Sequence, residues 1–137
     1  MRVFKTRQFA KLASKARVSD RELVEAASRA EQGLVDATIG KFLIKLGKFL
    51  IKQRVSRRGE GRSGGFRTVV FFVKGDRAVY LHMFAKNARA NLSRTEEDTF
   101  RSLAKALQQM SQDMIDTLVS EGKWISIGDD PKNKVSE

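Results

Sequence analysis

Apolar residues recur with a helical spacing in the first third of the chain. After Ser19, leucine and alanine fall three or four residues apart, which is the pattern of a helix that buries one face. Ser19 and Glu22 have the S-x-x-E spacing of a capping box, and the pattern ends near Gly33. A basic helix through Phe9 and a short strand over residues 2–5 precede this segment.

The middle of the chain has the pattern of buried strands instead. The segments FRTVVFFV and RAVYLHMFA, which begin at Phe66 and Arg77, are apolar on both faces of the pleat and flank the turn residues 74–76. Strands that are apolar on both faces lie inside a sheet. These two segments therefore predict a central β-hairpin that supplies most of the core.

Helical spacing returns after Ser93, which forms a second S-x-x-E pair with Glu96. Apolar residues then recur at helical spacing from Phe100 onward, a shorter helix follows over residues 112–120, and KWISI predicts a last strand. This order predicts an α+β fold with a central antiparallel sheet, on which N-terminal and C-terminal helices pack. At 137 residues we expect a single domain over residues 1–127 and a disordered tail over residues 128–137.

An imperfect repeat, GKFLIKL at residues 40–46 and GKFLIKQ at residues 47–53, precedes the hairpin. As a helix it places four lysines on one stripe beside Phe, Leu and Ile, which is typical of a cationic helix at a membrane surface. Gly47 disfavours that helix, and a strand pair turning there sets two lysines opposite each other. Seven inserted residues reverse the face that each strand side chain occupies, so only one copy fits a given sheet position. We predict that the second copy is the working strand, and leave open whether the first is helix, strand or loop.

Positive charge is concentrated in the same part of the chain. The formal net charge is +11, and residues 40–91 carry 13 Lys/Arg against two acidic residues, whereas the remainder is balanced. A segregated basic segment indicates a polyanion partner, and a merely solubilising surface is the alternative.

The remaining composition excludes several kinds of site. The chain has no cysteine and one histidine, His82, so we expect neither a disulfide framework nor a zinc site, and no cofactor. The N-terminal residues lack the apolar run of a secretion signal, and no apolar run is long enough to span a bilayer. A cytoplasmic location and no membrane partner are therefore expected.

Basic side chains from several predicted elements are expected to meet on one surface. Arginine suits phosphate because its planar guanidinium binds phosphate oxygens and stays charged, although it cannot accept a proton. Glycines in a basic loop also let backbone amides approach a phosphate. The candidate RNA-binding residues are Lys48, Arg57, Arg58, Arg62, Ser63, Gly64 and Gly65.

The segments LIKQRV, GRSGGFRTVVFF and FAKNARANL together resemble the RelE/HigB branch of the toxins of bacterial toxin-antitoxin systems, over residues 1–127. The resemblance implies a compact RelE-like α+β ribonuclease fold and cleavage of messenger RNA in the decoding site of the ribosome, which inhibits translation. It also implies neutralisation by a cognate antitoxin, a helix-turn-helix protein that binds DNA. The catalytic positions that the resemblance implies are Lys52, Arg54, Arg67, Lys86 and Arg89.

Metal-free acid-base chemistry is consistent with these residues. RNA supplies its own nucleophile, the 2′-hydroxyl, so the enzyme must align it, stabilise added negative charge and move two protons. We expect Arg54 and Arg67 to bind the phosphate. Lys52 is the candidate for proton transfer, because surrounding like charges disfavour its protonated form. Glu60 is a second candidate base.

The chain departs from the family pattern in three places. Ala88 stands where similar sequences have glutamate, Ser93 stands where some have tyrosine, and the repeat adds seven residues directly before the catalytic strand, where it can shift the register. The leading hypothesis is a ribosome-dependent messenger RNA endonuclease. The alternative is a catalytically weakened or inactive protein of the same fold that binds RNA or ribosomes, and a third hypothesis is activity of the repeat at a membrane surface.

Three aromatic side chains have two interpretations each. His82 lies in an apolar strand between Tyr80 and Phe84, so we favour a hydrogen-bonded core histidine over a catalytic one. Trp124 is interpreted as a lid on the core rather than a platform for base stacking. Phe66 is expected to pack inward rather than stack on a base.

Overall fold

A computed structural model describes residues 1–39, 47–56, 65–86 and 91–128 of the chain. Within these ranges it forms six strands and four helices, which confirms the predicted α+β class. None of the helices in these ranges is long and apolar enough to cross a membrane. In chain order the elements are β1 (Arg2–Thr6), α1 (Arg7–Ala16), α2 (Asp20–Glu31), β2 (Ala37–Thr38), β3 (Lys48–Val55), β4 (Phe66–Val73), β5 (Arg77–Ala85), α3 (Arg94–Gln108), α4 (Gln112–Ser120) and β6 (Trp124–Gly128).

The strands form one mixed sheet in the order β2-β3-β4-β5-β1-β6. Strands β2 to β5 are antiparallel neighbours, β1 runs parallel to β5, and β6 is antiparallel to β1. The predicted hairpin is β4 and β5, which lie inside the sheet as expected. Two features were not predicted: strand β2, which has two residues, and the parallel β1–β5 pair, which joins the start of the chain to its middle.

Helices cover both faces of the sheet and bury a separate apolar cluster on each. The cluster beneath α1 and α2 includes Phe9, Leu23 and Tyr80, and the cluster beneath α3 and α4 includes Phe71 and Leu107. Strand alternation explains this division, because successive residues of β4 point to opposite faces. A sheet with helices on both faces needs strands that are apolar on both sides, as β4 and β5 are.

Side-chain caps set where the helices begin. The Ser93–Glu96 capping box is confirmed at α3, with both of its reciprocal hydrogen bonds formed. At α2 the Ser19 hydroxyl accepts from the Glu22 N–H, whereas the Glu22 carboxylate accepts from Ser56 Oγ at 3.1 Å. That second bond ties the start of α2 to the residue that follows β3.

The second copy of the repeat forms β3, as predicted. The first copy, residues 40–46, lies outside the described residues. In the register of β3 and β4, Lys52 is opposite Val69 and Arg54 is opposite Arg67. Lys52 and Arg54 therefore share a sheet face with Arg67.

A β-bulge in β5 changes the interpretation of its aromatic residues. The register shifts between the Val69–His82 and Val70–Tyr80 pairs, so the strict alternation expected from the sequence does not hold through His82. As a result, Tyr80 and Phe84 are buried on opposite faces of the sheet.

Two other aromatic residues pack as the sequence predicts. Phe66 is buried in the cluster beneath α1 and α2. Trp124 is buried with its ring centroid 5.6 Å from that of Phe4. Of the predicted tail, Gly128 lies in β6 and residues 129–137 lie outside the described residues.

Candidate functional site: basic residues on the central strands

Four basic side chains lie on the end of the sheet where β3 finishes and β4 begins. On the face beneath α3, Lys52 shares a cross-strand row with Val69, and Arg54 shares the next row with Arg67. Directly opposite residues of an antiparallel pair have Cβ atoms roughly 4.5–5.5 Å apart, so these two arginines, termed here the arginine pair, are close neighbours. Like charges in this position are destabilising, which favours a role other than stability.

The guanidinium groups of the arginine pair have unused hydrogen-bond donors. Both Nε atoms are buried and have no acceptor within the described parts of the chain. Arg29 also has a buried Nε of this kind, but its Nη2 donates to a backbone carbonyl and its Nη1 lies 4.0 Å from the Asp36 carboxylate. Buried donors without an acceptor are uncommon because they cost desolvation energy. The arginine pair therefore presents donors that suit an oxyanion ligand such as a phosphate.

Gln53 anchors β3 from the sheet face opposite the arginine pair. Its side chain is 1% exposed, its Nε2 donates to the carbonyls of Ala26 and Leu34 at 3.0 Å each, and its Oε1 accepts from the Asp36 N–H at 3.0 Å. Because side chains alternate along a strand, a buried Gln53 sends both of its basic neighbours to the other face. The sequence signal for this anchor was an uncharged polar residue at the alternate position between Ile51 and Val55, on the face opposite Lys52 and Arg54. It was not used in the predictions above.

Two charged side chains hold the outer edge of β3 beyond its last pair with β2. Strand β2 pairs with β3 at Ile51 and Lys52 only. At Arg54 the Asp36 carboxylate accepts from the backbone N–H at 2.6 Å, and Arg29 Nη2 donates to the backbone carbonyl at 2.7 Å. These side chains take the place of a neighbouring strand and fix the backbone from which the Arg54 side chain projects. Neither residue was a sequence candidate.

Lys52 has a polar neighbour from a distant part of the chain. Its Nζ donates to Asn91 Oδ1 at 3.2 Å, so the segment that leads into α3 lies beside the arginine pair. His82, the next residue along the Lys52–Val69 row, is half-buried, and its ring stacks on Phe100 of α3 at 5.5 Å between centroids. The histidine thus belongs to the packing between the sheet and α3.

Gly65 and Lys86 meet at the same end of the sheet. A Cβ on Gly65 would lie 2.2 Å from the Val55 carbonyl oxygen, so only glycine allows β3 and β4 to approach this closely. The Gly65 carbonyl accepts from the Lys86 N–H at 3.4 Å. Gly65 is therefore buried between the end of β3 and the start of β4. Lys86 lies beside Gly65, which is two residues before Arg67 of the arginine pair.

Of the other predicted site residues, one lies far from the arginine pair and the rest lie outside the described residues. Lys48 is on the same face, but it lies at the far end of β3, roughly 13 Å from Lys52 at about 3.3 Å per residue. Within the described ranges, no cluster of three or more acidic or histidine side chains could hold a metal ion. The predicted residues outside the described ranges are Arg57, Arg58, Glu60, Arg62, Ser63, Gly64, Ala88 and Arg89.

Comparison with known proteins gives one family. The family model for the RelE toxin of the RelE/RelB toxin-antitoxin system matches residues 1–127 of the chain. This range includes all ten elements except the last residue of β6, and it contains the arginine pair, Lys52 and Lys86. No individual curated protein matches the chain.

Proposed function

Because the chain belongs to the family of RelE toxins of toxin-antitoxin systems, we propose that it is an endoribonuclease that cleaves messenger RNA on the ribosome and so inhibits translation. The family membership confirms the resemblance seen in three segments of the sequence. The observation that carries the proposed activity is the arginine pair, because two adjacent guanidinium groups with unused buried donors are suited to one phosphodiester.

The proposed reaction is an attack of RNA on its own backbone. The ribose 2′-oxygen bonds to the adjacent phosphorus and loses its proton, and the 5′-oxygen of the next nucleotide leaves and gains one. The products are a 2′,3′-cyclic phosphate and a free 5′-hydroxyl. Arg54 and Arg67 stabilise the charge that develops on the non-bridging oxygens, where preorganised donors have the largest effect.

Lys52 is the proposed proton-transfer group. Lys52 lies one cross-strand row from the arginine pair on the same face, and the hydrogen bond from its Nζ to Asn91 orients the side chain. Such a group must lie within hydrogen-bond reach of the oxygen it serves, and the row spacing of the sheet permits this for an oxygen of the bound phosphodiester. Lys86, at the same end of the sheet, supplies further positive charge, as does Arg89 by the family pattern.

The test uses purified ribosomes carrying a defined messenger. We expect Arg67→Ala to lower the single-turnover cleavage rate by roughly 10²–10³, the usual cost of removing one transition-state donor. Arg21→Ala is the matched control, since it removes the same charge from an exposed position on α2. Cleavage should persist in EDTA and leave 2′,3′-cyclic ends.

Two outcomes would contradict the proposed chemistry. Cleavage that requires an added divalent ion would refute the metal-free scheme. Ribosomes that bind the wild-type protein while their messenger stays intact would refute catalysis and support the alternative, a non-cleaving protein of the same fold. The sequence feature that favours this alternative is Ala88, which stands where similar sequences have glutamate.

Family membership also implies a cognate antitoxin. We propose that this antitoxin is a helix-turn-helix protein that binds DNA. Its purified complex with this chain should neither cleave the messenger nor bind the ribosome.

A further inference from the structure

A second basic surface lies on α1, on the other side of the sheet from the arginine pair. The first 19 residues contain six Lys/Arg and no acidic residue. Two of the six are paired, because Arg2 bonds to Asp76 and Lys5 bonds to Asp20. The other four are exposed and form no ion pair or side-chain hydrogen bond with any part of the chain that is described; they are Arg7, Lys11, Lys15 and Arg17.

Three of these residues form a single stripe. Arg7, Lys11 and Lys15 are four residues apart on α1, so they lie on one side of the helix over about 12 Å. Like charges at this spacing destabilise a helix, and α1 has no acidic residue to offset them, whereas α2 and α3 carry both signs. The stripe is therefore better explained by a polyanion partner than by helix stability.

A groove adjoins the stripe at the C-terminal end of α1. It has a volume of about 240 Å³, which is below the roughly 300–1,000 Å³ of small-molecule sites. Lys15 is its one charged lining residue among those described. The apolar lining comes from both α1 and the sheet, and consists of Leu12, Ala16, Phe66, Met83, Phe84 and Ala85.

The groove and the arginine pair lie at the same end of the sheet, on opposite faces, and are built from neighbouring residues of β4 and β5. Phe66 directly precedes Arg67, and Phe84 lies opposite Arg67 in the β4–β5 register. Ala85 directly precedes Lys86. A chain that leaves the arginine pair at Arg67 therefore meets the apolar groove first and Lys15 next.

We propose that the RNA strand to be cleaved continues from the arginine pair across this groove and onto α1. One unstacked base rests on the apolar lining, and the phosphates beyond it contact Lys15 and Lys11. A single strand offers free base faces, which a double-helical ribosomal segment does not, so the apolar lining favours the substrate strand over ribosomal RNA. This inference rests on the proposed function, since it takes RNA as the substrate.

The test compares two non-cleavable oligoribonucleotides, of four and twelve nucleotides, with 2′-O-methyl groups. We expect the association constant K of the longer RNA to depend less steeply on salt in Lys11→Gln/Lys15→Gln. The negative slope of log K against log salt should become shallower by roughly 1.4, at about 0.7 for each phosphate contact to a single strand. The slope for the shorter RNA should change by at most about half as much, roughly 0.7, because its few phosphates can extend past the groove to Lys15 but not on to Lys11. The control Lys74→Gln/Lys105→Gln makes the same charge change at exposed positions away from the groove and should leave both slopes unchanged.

Several results would overturn the inference. An equal change for both RNAs would mean that α1 acts only through general electrostatics. An unchanged slope with weaker binding to ribosomes or to the antitoxin would assign the stripe to that partner instead. Arg67→Ala separates the two proposals: if it weakens neither RNA the proposed function fails, and if it weakens both while the lysine variant weakens neither, only the α1 path fails.

Discussion

Tyr80 connects the sheet to α2 through a buried phenol. Its hydroxyl donates to the Leu23 carbonyl, and its ring lies 5.1 Å from that of Phe9 between centroids. Burial raises the pKa of Tyr80 far above its ordinary value, because the charged phenolate would lose its hydration, and nearby Arg29 offsets only part of this effect. Tyr80 therefore stays neutral in the folded protein at pH values where it ionises in the unfolded chain.

Tyr80→Phe should reveal this difference in urea unfolding across the alkaline range. At pH 8 the variant should be less stable by about 1–3 kcal/mol, since the buried Leu23 carbonyl loses its donor. Above about pH 10 the unfolded wild-type chain releases a proton that the folded protein retains, so wild-type stability falls with a slope approaching about 1.4 kcal/mol per pH unit. The variant lacks this contribution, so the gap between the two should narrow as pH rises. If the free energies of unfolding of the two proteins changed in parallel with pH, the Tyr80 phenol would not be buried in its neutral form.

At the scale of elements, β3 depends on contacts outside its own sequence. Its inner edge pairs with β4 along its whole length, but its outer edge beyond Lys52 is held by the side chains of Asp36 and Arg29. Both come from α2 or from the segment that follows it. The position of Arg54 is therefore set partly by a helix on the opposite face of the sheet.

Asp36→Ala should lower both stability and cleavage. It removes the acceptor for the Arg54 N–H and leaves Arg29 without its nearby carboxylate, so we expect a loss of about 1.5–3 kcal/mol in the free energy of unfolding. The cleavage rate should fall in conditions where the variant is fully folded, because Arg54 is less well held. Asp36→Asn keeps an oxygen acceptor and should recover most of the rate. If the alanine variant is folded and cleaves at the wild-type rate, the Asp36 contact does not position Arg54.

Sequence patterns predicted the elements well and their contacts incompletely. The central hairpin and the four helices followed from periodicity and capping residues such as Ser93. The second repeat copy was assigned as the strand because it leads directly into the basic, glycine-rich segment before Phe66. The two-residue β2 leaves no periodic signal, and the bulge at His82 inserts one residue that no local pattern marks. Asp36 and Arg29 were missed for a related reason, since their contacts with Arg54 depend on how α2 packs across the sheet.

For the molecule as a whole, the charge total concealed a second basic region. Outside residues 40–91 the charges sum to zero, yet every charged residue among the first 19 is basic. The balancing acidic residues lie mainly in α2, α3 and α4. In the sum, the basic residues of α1 are cancelled by acidic residues of the other helices, so the net charge outside residues 40–91 does not reveal the stripe on α1.

The repeat provides a test of what sets the register of the catalytic strand. Removing residues 40–46 joins Ile39 to Gly47, and the Ile39 N–H already donates to the Leu50 carbonyl at 2.7 Å. The shortened connection has three residues, which is within the usual range for hairpins, and Gly47 already has a positive φ of 68°. We expect this variant to fold, to keep Lys52 and Arg54 on the face of Arg67, and to cleave within about threefold of the wild-type rate.

Removing residues 47–53 instead gives a chain of equal length that differs from the first variant at one position only. There Leu46 takes the place of Gln53 between the lysine and the arginine. Leucine cannot bond to the Ala26 and Leu34 carbonyls or to the Asp36 N–H, and each buried polar group left without a partner costs about 1–3 kcal/mol. The second variant should therefore be less stable than the first by at least about 2 kcal/mol in urea unfolding. Equal stability would show that Gln53 does not anchor β3, and loss of cleavage in the first variant would show that residues 40–46 help to set its register.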